Sequence, residues 1–425
     1  MKTGVFAAWR RTAAVILAIL ATAAGLSLYW SRHREREREF AAQVRTALAE
    51  RQWDQASAQV DRWQKEYPRS SEARYLRARA EIGRERYQEA VNALGQALDL
   101  GYAPSILRRL RAAIQIRTAT DDGSAIPILE EALRDPGEIL PEIAEALVLH
   151  HHGRFQFARA EAVLTQWKQT SPNDPRPYWH QARIDLKTQI DPAVLIRDYR
   201  SALDRAPDWD APRLGLADAL RKSLRNDEAL VEYKAYLKNH PDSPVALAGA
   251  GECAVAVSDL EQANVWLDRA IELNPKLVEA RLARANSDFR RGNWEQTIKG
   301  LQELLRIDPY DADAYYLLSL SLKHQNQNAE AERSRLEAER LRKEFADLEE
   351  MRKELLNHPN DRRTLLKIAQ WLFDHGREEE GLEMTSQVLK SDPGHKETHR
   401  LLMNHYQKKG NLGEANFHKF QLGEN

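Results

Sequence analysis

Proline recurs at a fixed interval along much of this chain of 425 residues. A period of this length indicates an array of small stacked units, because each unit must repeat the same local structure. The spacing therefore favours one extended array over the roughly two to four globular domains that the length would otherwise allow. The prolines that keep a 34-residue step are Pro207, Pro241, Pro275 and Pro309, then Pro359 and Pro393, while Pro68 and Pro136 lie a double step of 68 residues apart.

Apolar residues within each unit recur every three or four positions. In the unit that starts at Val278, a small residue stands at Ala285 and a glycine at Gly292, and leucines at helical spacing follow before Pro309. This pattern predicts two amphipathic helices joined by a turn. The small residue allows the two helices to approach, and the proline ends the second helix.

The spacing and these positions resemble the tetratricopeptide repeat, a helix-turn-helix unit of 34 residues. The resemblance covers nearly everything after residue 36. It is weaker at the third and fourth units, where Asp121, Asp122 and Pro127 disturb the pattern, and the unit that starts at Ala312 departs most from it. In this register the units start at Glu37, Ser71, Ser105, Ile139, Arg176, Asp210, Pro244, Val278, Ala312, Arg362 and Lys396.

The resemblance implies an all-α fold, a right-handed α-solenoid of about eleven units after one N-terminal transmembrane helix. The ninth unit is longer than the others, since Pro309 and Pro359 are 50 residues apart. Residues 329–356 contain no Gly or Pro, which predicts an extended second helix that packs on neighbouring repeats or on a partner helix. The expected segments are a tail at 1–11, a membrane helix at 12–30, a charged linker at 31–36, units one to eight at 37–311, unit nine at 312–361 and the last two units at 362–425.

The apolar run from Thr12 to Trp30 carries no charge over 19 residues, which is enough for a helix to span a bilayer. Basic residues flank it on both sides, and we expect a signal-anchor helix with the repeats on the extracytoplasmic, periplasmic side of a single-pass membrane protein. A cleaved signal peptide is the alternative, with its small-residue site at Ala21 to Ala23.

Composition excludes several classes of function. Sixty-three basic and 64 acidic side chains give no cationic field for nucleic acid, and the single Cys253 excludes an intramolecular disulfide or a cysteine-rich zinc site. The GxGxxA sequence from Gly249 to Ala254 lies within a predicted helix, so Gly251 is interpreted as a helix-contact residue. We therefore predict no enzyme activity and no cofactor, although His395 and His399 leave open a metal- or ligand-dependent envelope assembly factor.

The resemblance also implies a concave groove lined by the first helix of each unit. It predicts a membrane-anchored scaffold, in a bacterial cell envelope, that binds protein partners through this groove, with an extended acidic segment as the ligand of its N-terminal part. The alternative is that the arginines pair with glutamates of neighbouring helices such as Glu81, Glu85 and Glu89. The candidate groove residues are Arg45, Tyr75, Arg79, Arg109, Arg117, His150, His180, Asn286, Phe289 and Tyr316.

Overall fold

A computed structural model describes residues 31–120, 123–154, 156–187 and 191–423. In these ranges the chain forms α-helices and one 3-10 helix, and no strand is present. The helices divide into two compact units, Met1–Ser223 and Leu224–Asn425. The apolar segment 12–30 lies outside the described residues, and among the residues that are described no helix is long and apolar enough to cross a bilayer.

The first unit begins with helix α1 over residues 31–49. Its other helices follow as α2 (Trp53–Glu66), α3 (Ser71–Gly83), α4 (Tyr87–Asp99), α5 (Pro104–Arg117), α6 (Ala125–Ala132), α7 (Leu140–Gly153), α8 (Phe157–Thr170), α9 (Arg176–Lys187), α10 (Pro192–Arg205) and α11 (Asp210–Lys222). A 3-10 turn at Gly137–Ile139 leads directly into α7.

The second unit has the same alternation of a first and a second helix. Its helices are α12 (Asn226–Asn239), α13 (Pro244–Ala256), α14 (Leu260–Leu273), α15 (Val278–Arg290), α16 (Trp294–Ile307), α17 (Ala312–His324), α18 (Asn328–Asn357), α19 (Arg362–Asp374), α20 (Glu378–Ser391), α21 (Lys396–Lys408) and α22 (Leu412–Gln421).

Except for Pro136, which directly precedes the 3-10 turn, the periodic prolines stand two residues before the N-cap of the helix that opens the next pair. Ser70 caps α3 by accepting a hydrogen bond from the backbone N–H of Ala73, and it follows Pro68 by two residues. Asp311 after Pro309 caps α17 by accepting from Ala314 N–H. A proline ends one helix and the short polar side chain starts the next, which explains the sharp boundary between successive pairs.

A residue in the left-handed region ends the first helix of most pairs. The non-glycine residues in this conformation include Arg51, Glu85 and Ala119, each 34 residues apart, and then Leu224, Ser258 and Asn326. Glycine takes the position at Gly292, Gly376 and Gly410. The turn within each pair therefore repeats with the same period as the prolines, although only three of these nine positions have the residue that a positive φ favours.

Close helix contacts form the core of each pair. A Cβ atom placed on Gly251 of α13 would stand 2.5 Å from Cγ of Leu267 in α14. Leu267 is fully buried, so it has no room to move away. This contact confirms Gly251 as a helix-contact residue, and the GxGxxA sequence lies in the interior of α13, as predicted.

Helix α18 is 30 residues long, about twice the length of the other second helices. Its C-terminal half packs on the same chain: Leu348 forms a buried cluster with Ile368 and Leu372 of α19, and Phe345 stacks edge-on against Trp371 at 4.9 Å. Leu336, nearer the N-terminus of α18, is 52% exposed. The extra four turns thus serve mainly as packing surface for the next helix pair.

The left-handed turns give a stability prediction. Replacing Ser258 (φ 68°) by Gly removes the clash between Cβ and the backbone, and we expect the second unit to gain about 1 kcal/mol of unfolding free energy. Gly292→Ala imposes the same clash at φ 77° and should lose about 1 kcal/mol. Urea unfolding measures both changes. Ser258→Ala, which keeps Cβ, is the matched control, and equal stability of Ser258→Gly and Ser258→Ala would contradict the strain argument.

Candidate functional site

Three glutamates at the start of α7 organise the interior of the first unit. Glu138 lies in the 3-10 turn, and Glu142 and Glu145 lie in α7. Their spacing of four and three residues places them on one side of the chain. We call these three residues the internal acidic segment, because each of them binds arginines of other helices in the same unit.

Arg45 of α1 binds the first of these glutamates. Its Nε donates to Glu138 Oε2 at 2.8 Å, and its second terminal nitrogen donates to Glu72 Oε1 at 2.7 Å. The hydrogen bond to Glu138 is the main reason why the pKa of Arg45 is raised. The hydroxyl of Tyr75 also donates to Glu138, at 2.8 Å, and burial of this ring raises the pKa of the Tyr75 hydroxyl.

Arg79 of α3 is 8% exposed and binds the second glutamate. Its Nε donates to Glu142 Oε1 at 2.7 Å, and another of its nitrogens donates to the backbone carbonyl of Glu138 at 2.8 Å. Burial acts against the charge of Arg79, but Glu142 outweighs it, so that the pKa of Arg79 is raised. Both side chains are about nine-tenths buried, which makes this a buried ion pair.

The third glutamate, Glu145, contacts basic side chains of α5 and α9. Arg117 donates to it at 2.8 Å, Arg176 approaches at 3.8 Å, and Nε2 of His180 lies 3.4 Å away. Burial would raise the pKa of Glu145, but the hydrogen bond with His180 and the charge of Arg117 lower it far below its ordinary value. Burial lowers the pKa of His180, which favours the neutral imidazole.

The remaining candidate groove residues have other neighbours. Arg109 donates to the carbonyl of Asp135 at 2.9 Å, and His150 lies edge-on to the ring of His151 at 5.4 Å. Asn286, Phe289 and Tyr316 belong to the second unit: Asn286 is half-buried, Phe289 packs against the Trp294 ring at 5.0 Å, and Tyr316 is 42% exposed beneath Arg342.

Within the first unit, the structure brings five of the predicted groove residues to the internal acidic segment, namely Arg45, Tyr75, Arg79, Arg117 and His180. Arg45, Arg79 and Arg117 all contact carboxylates of their own chain. Those carboxylates belong mainly to the internal acidic segment, whereas the alternative interpretation named Glu81, Glu85 and Glu89; of these, Glu85 lies 3.7 Å from Arg117. Binding of a partner by the ten residues stays a prediction.

A cavity of about 270 Å³ lies beside this network in the first unit. Three tryptophans, Trp53, Trp179 and Trp209, contribute to its wall. Of the predicted groove residues, Arg79, Arg117 and His180 line this cavity, whereas sequence reasoning missed Arg51, Arg183 and the tryptophans, because they stand at positions outside the groove set that the repeat register implies. Its charged lining consists of Arg51, Arg79, Arg117, Arg176 and Arg183 together with Glu85, Glu142 and Glu145.

Histidines near the C-terminus have polar partners within the second unit. Nδ1 of His395 accepts a hydrogen bond from Thr398 N–H and so caps α21. His399 places Nε2 2.8 Å from the carbonyl of Pro393 and Nδ1 2.8 Å from Nδ1 of His418. Over the described part of the chain, no group of three or more His, Cys, Asp or Glu side chains could hold a metal ion. A metal-dependent role for His395 and His399 therefore gains no support from their geometry.

Comparison with known proteins identifies the repeat. A family model described as tetratricopeptide repeat matches residues 41–105 and 214–277. These two segments carry tetratricopeptide repeats. A second model, described as bacterial transcriptional activator domain, matches residues 254–347. The two tetratricopeptide matches lie near the start of the first compact unit and around the start of the second.

Individual proteins share parts of these tetratricopeptide repeats. The Arabidopsis thaliana protein CTR9 homolog is 29% identical over 169 residues, which are 39% of this chain and 15% of that protein. The crystal structure of YrrB, described as a TPR protein with an unusual peptide-binding site, is 18% identical with a TM-score of 0.34 and covers 42% of this chain and 91% of its own. A MamA crystal structure is 20% identical with a TM-score of 0.33, over 38% of this chain and 94% of its own.

The buried pair of Arg79 and Glu142 leads to a stability prediction. Glu142→Gln leaves the guanidinium of Arg79 with less compensation in a buried site, and we expect α3 and α7 to lose about 3 kcal/mol of protection. Hydrogen–deuterium exchange of these two helices measures the loss. Glu89→Gln, at an exposed position of α4, removes the same charge and should cost less than about 0.5 kcal/mol. An equal loss of protection in Glu142→Gln and Glu89→Gln would show that the ion pair of Arg79 and Glu142 does not stabilise α3 and α7 specifically.

Acidification should weaken the first unit through His180. The pKa of His180 is lower in the folded state than its ordinary value of 6.5, so the unfolded chain takes up a proton first. The unfolding free energy is then highest above about pH 6.5 and falls as the pH decreases below it. Hydrogen exchange of α9 between about pH 7 and pH 5 measures this slope, and His180→Gln should flatten it. His358→Gln, at an exposed position, serves as the control; the same slope with and without His180 would refute the assignment.

Proposed function

We propose that this protein is a membrane-tethered scaffold that binds other proteins through its tetratricopeptide repeats. The observation that supports this most is the succession of helix pairs at a 34-residue period, together with the matches to the tetratricopeptide model at 41–105 and 214–277. Such arrays contact only their neighbours along the stack and therefore present long faces to other molecules. Proteins with these repeats bind protein partners, and the same role is proposed for this chain.

The tether in this proposal is the apolar segment 12–30. It is long enough to cross the hydrocarbon core as a helix, and arginines and an adjacent Tyr29-Trp30 pair stand where the membrane interface would lie. The repeats are then extracytoplasmic, in a bacterial cell envelope. The basic residues at both ends do not decide the orientation alone, so the proposal rests on the short N-terminal tail that resembles a signal-anchor sequence.

The ligand proposed for the first unit is an extended acidic segment of a partner protein. The lining of the cavity supports this choice, since five arginines face three glutamates there. Opposite charge gives both specificity and a faster encounter with such a segment. The internal acidic segment already pairs with Arg45, Arg79 and Arg117, so a partner would contact cations that this segment leaves without a carboxylate.

Crosslinking and capture from native membranes test the scaffold directly. The full chain should capture a defined set of proteins, and removal of residues 12–30 should release it from the membrane fraction. Proteases added outside the inner membrane should cleave the repeats while a cytoplasmic control protein stays intact. No crosslinked protein above the level of a lysate control would contradict the scaffold, and protection of the repeats from external protease would contradict the proposed location.

A further inference from the structure

We propose that Arg51 and Arg183 form an anion site in the first unit, in which each guanidinium group, held against a tryptophan ring, binds an acidic side chain of a partner peptide. This inference rests on the proposed scaffold function and identifies residues of the binding surface that lie outside the groove set predicted from the sequence. It is carried by a contiguous stack of side chains, by the absence of carboxylate partners on its two ends, and by the size of the cavity.

The stack places two cations on two indole rings. The guanidinium carbon of Arg51 lies 3.5 Å from the centre of the Trp209 ring, and that of Arg183 lies 4.9 Å from the centre of the Trp179 ring. The two indoles contact each other with centroids 5.1 Å apart. All four residues line the same cavity. Cation–π contact fixes the position of a guanidinium while leaving its N–H donors free for an acceptor.

Arg51 and Arg183 differ from the other arginines of the cavity in their charge partners. Arg79, Arg117 and Arg176 each contact a carboxylate, namely Glu142, Glu145 and Asp174 respectively. No carboxylate of the described chain forms an ion pair with Arg51 or Arg183, and Nε of Arg51 is buried without a hydrogen-bond acceptor. The excess positive charge of the cavity is therefore located on these two side chains.

Burial makes the charge of Arg51 costly in the unliganded protein. Desolvation and the nearby Arg176 lower the pKa of Arg51 to about 10 despite the opposite effect of Asp174 and Glu145, whereas the pKa values of Arg79 and Arg117 are raised. A group of this kind gains more from an added anion than an exposed arginine does, because the anion compensates a charge that is already out of water. The position of Arg51 is also set by the backbone, since it occupies the left-handed turn after α1 at φ 60°.

The cavity suits side chains of a peptide. Its volume of about 270 Å³ is at or below the lower end of the range for drug-sized ligands, roughly 300–1,000 Å³. Glu85, Glu142 and Glu145 share the lining, and they would repel a doubly charged phosphate more than a singly charged carboxylate.

Binding of defined peptides to the full chain tests the proposal. The probe is a fluorescent 12-residue peptide with glutamate at every second position and an amidated C-terminus, and the comparison peptide has glutamine at those positions. We expect Arg51→Asn, which tolerates the left-handed turn, and Arg183→Gln each to weaken binding of the glutamate peptide about tenfold or more. Arg69→Gln, at an exposed position with the same change of charge, should alter the dissociation constant less than about twofold.

Several outcomes would overturn the proposal. Equal affinity for the glutamate and glutamine peptides would show that the site does not select acidic side chains. An equal loss of affinity in Arg69→Gln and Arg51→Asn would show that Arg51 has no specific role in binding. A glutamine peptide with a free C-terminus, or a phosphoserine peptide, that binds tighter than the glutamate peptide would assign the site to a terminal carboxylate or a phosphate instead. Unchanged far-ultraviolet circular dichroism and melting of the variants show that the fold persists, and Arg183→Gln gives an independent test if Arg51→Asn fails to fold.

The same variants separate this site from the scaffold function. If membrane crosslinking of Arg51→Asn and Arg183→Gln captures the same proteins as the unmodified chain, the scaffold stands and the anion site is wrong. If the unmodified chain captures nothing but binds the glutamate peptide in an Arg51-dependent manner, the site stands and the scaffold is wrong.

Discussion

Pairing between the internal acidic segment and arginines of other helices determines how the first unit is built. Glu138, Glu142 and Glu145 bind Arg45, Arg79 and Arg117, which come from three different first helices. The pairs of Arg79 with Glu142 and of Arg117 with Glu145 are largely buried, and each of these charges would be expensive to bury alone, so the helices that carry them must come together in one arrangement. Burial of Leu and Ala side chains is non-directional, whereas ion pairs between particular side chains specify which helix faces which.

This constraint also explains the cavity. The internal acidic segment provides carboxylates for Arg79 and Arg117, and Asp174 provides one for Arg176, whereas the cations of Arg51 and Arg183 lie on tryptophan rings. Arginines that were predicted to bind a partner thus form ion pairs within their own chain, and Arg51 and Arg183, which were not predicted, remain available to a ligand. The helix pairs position these side chains, and the arginines without a carboxylate partner indicate where a ligand would bind.

Local rules predicted the helices and their boundaries well. Pro309, Asp311 and Gly292 act within a few residues along the chain, through a helix stop, an N-cap and a left-handed turn, so their sequence positions contain the answer. The partners of Arg79 did not follow from such rules. Glu142 lies two 34-residue repeats further along the chain than Arg79. The short helix α6 with its Pro127 and the 3-10 turn determine where Glu142 lies. The contact of Arg51 with Trp209 depends in the same way on the curvature accumulated over five helix pairs.

A double-mutant cycle on Arg79 and Glu142 tests the central claim most directly, with methionine replacing each residue alone and both together. The claim predicts that either single substitution destabilises α3 and α7 by several times more than the double one, because only the single variants leave a buried charge without its partner, with a coupling free energy of about 2 kcal/mol or more. Additive effects, with a coupling near zero, would contradict it and would assign the arrangement of the first unit to apolar packing alone.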